Sequence, residues 1–362
     1  AIIGGTVLVA LINLWVFKGS DALPAAQKLA LYQDVYLMAL CIPVISMLGL
    51  LSAYWLHRRA VRQLTAQGMT PTQAEETLRP PLEPTQPNVW ILGGSLVFVA
   101  LTLSLGLSDW AYSQEAIFLG STAIILWLMR RLVSALGTSS RRTLVGTAVI
   151  IFLFRATPSA GPGVSWWLID ELKFDAHFFS VLSLIGSTLT LFGMFAFRQF
   201  MAERPITYVV GFLTLAGFML SLPTLGMSMG LHVWTSSVTG GVVDARFIAL
   251  VDTALESPLG QIAMIPMLAW IANSAPRQLK ATYFAIMASF TNLALSASQL
   301  GTKYVNQWYT ITREVRDPAT QVVETVANYS DLTALLATVI AIGLVMPLSG
   351  LYLAKRLGWQ SA

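Results

Sequence analysis

Long apolar runs alternate with short polar connections along this chain, and the runs are too long to be strands of a soluble sheet. A helix needs roughly 20 mostly apolar residues to cross a hydrocarbon core. Ten runs approach or exceed that length: 1–17, 31–56, 90–107, 115–136, 144–168, 176–197, 207–233, 247–274, 279–303 and 333–354. Lipid offers backbone amides and carbonyls no water to bond, so a spanning segment is either a helix or part of a closed barrel. The runs lack the residue-by-residue alternation of a barrel strand. The pattern predicts an all-α integral membrane protein with about ten transmembrane helices.

Two connections are long. Residues 57–89 begin polar and basic, and Thr72-Gln73-Ala74-Glu75 has the spacing of a capping box, which predicts a short surface helix. Pro80, Pro81, Pro84 and Pro87 would then stop it. Residues 304–332 form a connection of mixed charge; its Asn328-Tyr329-Ser330 fits a glycosylation sequon, a pattern too short to carry weight. The short basic stretch from Gly137 to Arg142 is the one candidate hinge, and six spans follow it. This divides the chain into a four-span part (1–136), a connection (137–143) and a six-helix bundle (144–362).

Composition agrees with the periodicity. The 362 residues are 55% hydrophobic and only 11% charged, whereas a soluble domain is about 25% charged. The net charge of +4 does not signal a nucleic-acid partner, because the basic residues sit in short groups beside apolar runs. A single cysteine, Cys41, excludes an internal disulfide framework, and His57, His177 and His232 are too far apart to suggest a metal site. No Gly-x-Ser-x-Gly, His-Glu-x-x-His or Walker-type loop is present, so neither an enzyme nor a bound cofactor is expected.

The basic residues also orient the chain. With residue 1 on the cytoplasmic side, the inner connections carry Arg58, Arg59, Arg62, Arg79, Arg130, Arg131, Arg141, Arg142, Arg198, Arg204, Arg277, Lys280, Lys355 and Arg356. The outer set is Lys18, Lys28, Lys173, Arg246, Lys303, Arg313 and Arg316. That is fourteen against seven, and Arg155, inside a span, completes the 22. Both ends are therefore expected in the cytoplasm, with the protein in a bacterial inner membrane. Because the chain starts at Ala1 already apolar, it reads as a fragment or a processed form.

Ionisable side chains within spans cost roughly 2.5–3.5 kcal/mol at a helix centre on insertion scales, so they are the first candidates for function. Arg155 lies about halfway along 144–168 and is followed by Pro158, Gly161 and Pro162. The prolines remove backbone donors and the glycine loosens the turn, which predicts a broken helix. Such breaks expose backbone groups to a midplane substrate; pairing of Arg155 with a carboxylate to fix the bundle is the structural alternative. Asp252 and Glu256 share one helix face, four residues apart. Two carboxylates so close resist ionising together, which suits a proton-coupling pair or a site for an amidine-like edge. A solvated Asp252 at the outer end is the plainer reading. Ser289, Asn292, Ser296, Gln299 and Lys303 recur at spacings of three and four, either lining a wet pathway or gluing helices together. Asp170 and Glu171, just beyond the broken span, are possible gate residues, and Asp34 is similarly placed at the start of 31–56. Trp166, Trp167 and Trp234 suit an interfacial aromatic belt.

These residues carry a resemblance. Phe152-Leu153-Phe154-Arg155-Ala156-Thr157-Pro158, followed by Asp170-Glu171-Leu172-Lys173-Phe174, is similar to the seventh-span signature of the folate–biopterin transporter family, part of the major facilitator superfamily. Asp252 through Gly260-Gln261-Ile262-Ala263-Met264-Ile265-Pro266 resembles that family's tenth span, and Lys280 through Leu293 its eleventh. The likeness covers about 144–303. A Cys-Pro-Pro-Gly-like turn of the family is replaced here by Asn273-Ser274-Ala275-Pro276. Gly193 to Gly211, with Arg198 and Arg204, is similar to a faded copy of the superfamily's basic inter-helix motif. The resemblance implies twelve spans in two six-helix bundles, the first two preceding Ala1. It also implies alternating access and proton-coupled transport of folates, pterins or related organic anions. Arg155 and the Asp252/Glu256 pair would lie on two of its cavity helices. Competing readings are an assembly or carrier factor without transport, and a permease of the same superfamily for another cargo such as a muropeptide.

Overall fold

The computed structural model describes residues 2–18, 25–78, 89–134, 138–260, 280–316 and 322–358. A helix occupies each of the ten apolar runs as far as they are described. In chain order the helices are α1 (Ile2–Val16), α2 (Ala25–Ala39), α3 (Cys41–Ala66), α4 (Pro71–Leu78), α5 (Val89–Gly106), α6 (Ser113–Ser134), α7 (Thr138–Arg155), α8 (Gly163–Asp170) and α9 (Ala176–Ala196). There follow α10 (Arg198–Glu203), α11 (Ile206–Ser228), α12 (Leu231–Val238), α13 (Ala245–Gly260), α14 (Lys280–Gln307) and α15 (Leu332–Arg356). Five helical stretches among the described residues are long and apolar enough to cross a membrane outright: Ala30–Ala66, Val89–Gly106, Ala176–Ala196, Ile206–Ser228 and Leu332–Arg356. The protein is an all-α membrane protein. Among the described residues the strands are those of a small hairpin in the connection before α15, with β1 (Val315–Arg316) antiparallel to β2 (Val323–Thr325).

Helix boundaries differ from the expected spans where a proline or glycine intervenes. The run 31–56 is divided at Leu40, because Pro43 has no N–H to give to the carbonyl four residues back. Past the apolar run α3 continues to Ala66, carrying Arg58, Arg59 and Arg62 beyond it. The capping box falls two residues earlier than expected. Thr70 Oγ1 accepts from the Gln73 amide at 3.4 Å and Gln73 Oε1 accepts from the Thr70 amide at 3.2 Å. Pro71 then occupies the first helical position, where no N–H is required. The four prolines expected to stop this helix lie outside the described residues. The run 207–233 ends as a helix at Ser228, where Gly230 takes the left-handed φ of 88° and α12 begins. Only 247–260 of the run 247–274 is described.

The chain forms two compact units, Ala1–Pro87 with Ala176–Leu184, and Asn88–Asp175 with Ile185–Ala362. In the first, α1 packs on α2, with Phe17 and Tyr32 in ring contact at 4.9 Å. No residue of α3 is buried, and its outward face is Leu, Met, Tyr and Trp. That exposure is favourable in hydrocarbon and would be ruinous in water. In the second unit, α11 against α15, α5 against α6, and α14 against both α6 and α7 make the main packings. Its core joins Ile125 and Met129 of α6 to Leu144 and Ile151 of α7, Val210 of α11 and Met287 and Phe290 of α14. A second cluster seats Trp167 among Met227, Leu332 and Leu336. Trp167 is therefore a core residue and not the belt residue that its position suggested.

Close helix approach depends on small residues, as usual where lipid removes the hydrophobic drive between helices. Along α9, Thr190 Oγ1 donates to the Ser257 carbonyl at 2.9 Å, and Gly193 lies against the backbone of Pro258. A Cβ on Gly193 would stand 2.5 Å from the Pro258 oxygen and 2.7 Å from its Cα, atoms that cannot step aside. Gly193→Ala is expected to destabilise the folded protein by about 1–3 kcal/mol, read as a lower thermal midpoint in detergent. Gly343→Ala, with open space around it, is expected to leave the midpoint unchanged or slightly raised.

Candidate functional site

The expected break is present. α7 ends at Arg155, α8 begins at Gly163, and residues 156–162 between them are not helical. Gly161 takes a left-handed φ of 72°, which its lack of a side chain permits. The backbone groups freed by the break go to α14. Ser298 Oγ donates to the Thr157 carbonyl at 2.6 Å, and the Ser159 amide donates to Thr302 Oγ1 at 2.9 Å. Gly301 admits Pro158, and Asn306 stands beside Gly161 so closely that a Cβ there would meet its Nδ2 at 3.1 Å. Ser298, Gly301, Thr302 and Asn306 were missed in the sequence, although 298, 302 and 306 form a four-residue polar stripe that could have found them.

Arg155, at the edge of this break, is half-buried. Its Nε is buried without a hydrogen-bond partner, and no described carboxylate pairs with it. Asp252 on α13 is also half-buried; Thr224 Oγ1 of α11 donates to its Oδ2 at 3.2 Å, while Oδ1 is buried and unpartnered. Glu256, one turn on, is exposed. The structure thus distinguishes the two carboxylates by burial, as their spacing alone could not. α13 packs on α11, and α7 on α14, α15 and α11; among the described residues no hydrogen bond or ion pair joins Arg155 to Asp252. Pro266 and the rest of the tenth-span resemblance lie outside the described residues.

The polar stripe on α14 lines a cavity of about 1070 Å³ between that helix, α5 and α6. Ser289, Asn292, Ser296, Gln299 and Lys303 form one wall, and Ser95, Phe98 and Thr102 of α5 face it with Ser121 of α6. At one end Lys303 Nζ meets Glu115 Oε1 at 2.7 Å, and the Tyr304 hydroxyl donates to the same oxygen at 2.9 Å. The pair joins the first turn of α6 to the last turns of α14. α14 is thus polar on two faces, one lining the cavity and the other holding the broken helix.

Beyond α8 the Asp170-Glu171-Leu172-Lys173-Phe174 segment organises a cluster of connections. Asp170 Oδ1 pairs with Arg313 Nη2 at 3.2 Å, and the Tyr329 hydroxyl donates to Asp170 Oδ2 at 2.5 Å. Lys173 adopts φ 56°, unusual for a residue with a side chain, and its Nζ donates to the Asp170 carbonyl. Phe174 is buried, and Asp175 pairs with Arg246, in the first turn of α13, at 3.0 Å. Burial pushes the Asp170 carboxyl up, but the Tyr329 hydroxyl and the Arg313 guanidinium outweigh it and hold it below the usual range. Burial and the Asp170 carboxylate together push Tyr329 up to about 12. Glu171 and Asp34 are exposed. Among the described residues no cluster of His, Cys, Asp and Glu could hold a metal ion.

Known proteins were compared with this chain. A family model described as the BT1 family matches residues 89–359. The chain is similar to a folate-biopterin transporter of Synechocystis sp., 29% identical over 154 residues. That match takes in 42% of this chain and 30% of the relative's length. No solved structure matches.

Two outcomes follow from these contacts. Thr302→Val keeps the shape of the side chain but leaves the Ser159 amide unsatisfied, and is expected to cost about 1–3 kcal/mol, measurable by thermal unfolding. The Asp170 carboxyl has a lowered pKa in the fold, so its contribution is present above the unfolded pKa of about 4 and is lost only as pH falls through the lower folded value. Limited trypsin cleavage at Arg313 is expected to be slow and constant between pH 6 and 8, and faster at every pH in Asp170→Asn.

Proposed function

Because this chain belongs to the BT1 family, we propose that it works as a secondary transporter, carrying a folate, a pterin or a related organic anion across the membrane by alternating access with proton coupling. The observation that carries the reading is Arg155, a half-buried guanidinium at a broken span with no described counter-charge. A cation left unpaired among apolar helices is costly, and an anionic cargo is the natural partner that offsets the cost. The break supplies the irregular backbone with which transporters meet cargo near the midplane. Pro158, Gly161 and Pro162 are its helix-breaking residues.

Proton coupling is assigned to the carboxylates of α13. Asp252 keeps one buried oxygen unpaired, a position where a proton can be taken up and released as the surroundings open and close. Glu256, exposed on the same face, is the relay. Asp170 serves as the outer latch of the gate region through Arg313 and Tyr329, with Glu171 beside it on the exposed side. Both ends of the chain are placed in the cytoplasm of a bacterial cell, with the protein in its inner membrane. The four spans of 1–136 belong to one bundle and the six of 144–362 to the other. The named relative adds support for folate or biopterin as the cargo. Nothing in the sequence calls for a catalytic group or cofactor, and the protein is read as a carrier and not an enzyme.

Uptake of labelled folate by the full-length protein in liposomes tests the reading. Accumulation that depends on an inward proton gradient is expected, and its absence would sink the proposal. Arg155→Ala is expected to raise Km for folate by roughly 10–100-fold; an unchanged Km would reject its role. Asp252→Asn and Glu256→Gln are each expected to abolish proton-driven accumulation while preserving folate exchange. Unaltered pH dependence in a variant would remove that residue from the coupling pathway.

A further inference from the structure

Six buried polar atoms among the described residues lack a hydrogen-bond partner, and three lie at the α5–α6–α14 cavity or its end: Thr102 Oγ1, Ser121 Oγ and Glu115 Oε2. Native proteins leave few such groups unsatisfied, and each calls for a reason. Neighbours on the same helices find local partners: Ser104 bonds the Leu101 carbonyl at 3.2 Å and Thr122 the Phe118 carbonyl at 2.7 Å. Thr102 and Ser121 do not. The facing wall carries Asn292 and Gln299, which are exposed to the cavity and make no side-chain hydrogen bond to any described residue. Two amides and two hydroxyls, from three helices, thus converge unpaired on one space.

The chemistry of that wall selects its occupant. A lipid chain would strand all four polar groups, which is unfavourable in an apolar medium. A free anion finds little there either, because Lys303, the cation on the wall, is held by Glu115 at 2.7 Å. Amides and hydroxyls offer donors and acceptors side by side, the complement of an uncharged ring whose edge alternates amine and lactam groups. Asn292 and Gln299 are seven residues apart, roughly 10 Å along the helix, so such an edge can be held at two points. Phe98 and the isoleucines of the opposite wall supply apolar cover for its faces. Resting on the transport reading above, we propose that this cavity holds the uncharged heterocycle of the cargo, the pterin ring, at a place separate from the charge-binding Arg155.

Two fragments of folate separate the sites in the purified full-length protein: pterin, which has the ring alone, and 4-aminobenzoylglutamate, which has the anionic tail alone. Titrations followed by fluorescence are expected to show pterin binding weakened about tenfold or more by Gln299→Leu and by Thr102→Val, with the tail fragment unaffected. Arg155→Ala is expected to do the reverse. Ser296→Trp, which sets an indole on the wall between Asn292 and Gln299, is expected to abolish pterin binding. Gel filtration and the thermal midpoint establish that each variant is folded. Pterin binding equal to wild type in folded Gln299→Leu and Ser296→Trp would overturn the inference, and so would a cavity that wild-type protein leaves to water at saturating pterin. If these variants bind normally while folate uptake by the wild type persists, the cavity assignment alone fails. If folate uptake is absent, the transport reading fails and takes this one with it.

Discussion

The backbone opened between Arg155 and Gly163 has to find partners outside its own helix, and α14 is where it finds them. A continuous helix meets its own hydrogen-bonding needs; a helix interrupted by Pro158 and Pro162 does not. The Thr157 carbonyl and the Ser159 amide are supplied by Ser298 and Thr302 of α14. This supply fixes α14 against the break, and it suits a glycine at 161, where φ is 72° and a Cβ would stand 3.1 Å from Asn306 Nδ2. The interruption is held at particular atoms and is not a loosely frayed end.

Once α14 is anchored on that side, its other face is committed. Residues 289, 292, 296, 299 and 303 turn toward α5 and α6, and the space they enclose is the cavity. At its end the Lys303–Glu115 pair ties the last turns of α14 to the first turn of α6. A single helix therefore holds the broken segment on one face and lines the cavity with the other. Asp170 pairs with Arg313 and Asp175 with Arg246, so the segment after α8 is held to the connection before α15 and to the start of α13. The signature segment around Lys173 is thus a junction of loops, and its unusual φ is maintained by the buried Phe174 and by the Nζ bond to Asp170.

Much of the architecture was legible in the sequence because lipid makes the rules stringent. Runs of about 20 apolar residues, prolines within them and the rare charges mark helices, a break and unpaired groups with little ambiguity. The helix on every described run, and the interruption after Arg155, were visible in that way. What was not legible depends on pairing across distant segments. Nothing in the local pattern says that Asp252 rather than Glu256 is the buried carboxylate, since both fit one helix face; Thr224 on α11 makes the difference. The stripe 298–302–306 was overlooked because serine, threonine and asparagine in a span are common, and only the break opposite gives them a purpose. Trp167 was misplaced for the same reason: an aromatic near a helix end suits an interface until Met227, Leu332 and Leu336 close over it. The early capping box shows the local version, in which Pro71 decides between two equally spaced candidates.

The distribution of unsatisfied polar atoms separates what the fold needs from what it leaves open. Ser298 and Thr302 find partners in the broken segment and Thr190 one on α13, so polar groups placed for architecture are spent on architecture. Of the six that lack partners, Arg155 and Asp252 sit on the two helices the sequence marks for cargo and coupling, and three more sit at the cavity; Thr147, alone in the core, is the exception, with no physical account in its surroundings. In water such atoms would be solvated and would mean little. In a bilayer each is a standing free-energy penalty that a bound molecule or proton can relieve, and a group whose penalty is relieved only on binding contributes to affinity what it withheld from stability. For the proposed carrier, which must bind its cargo and then release it, these unpaired groups are where that requirement would act.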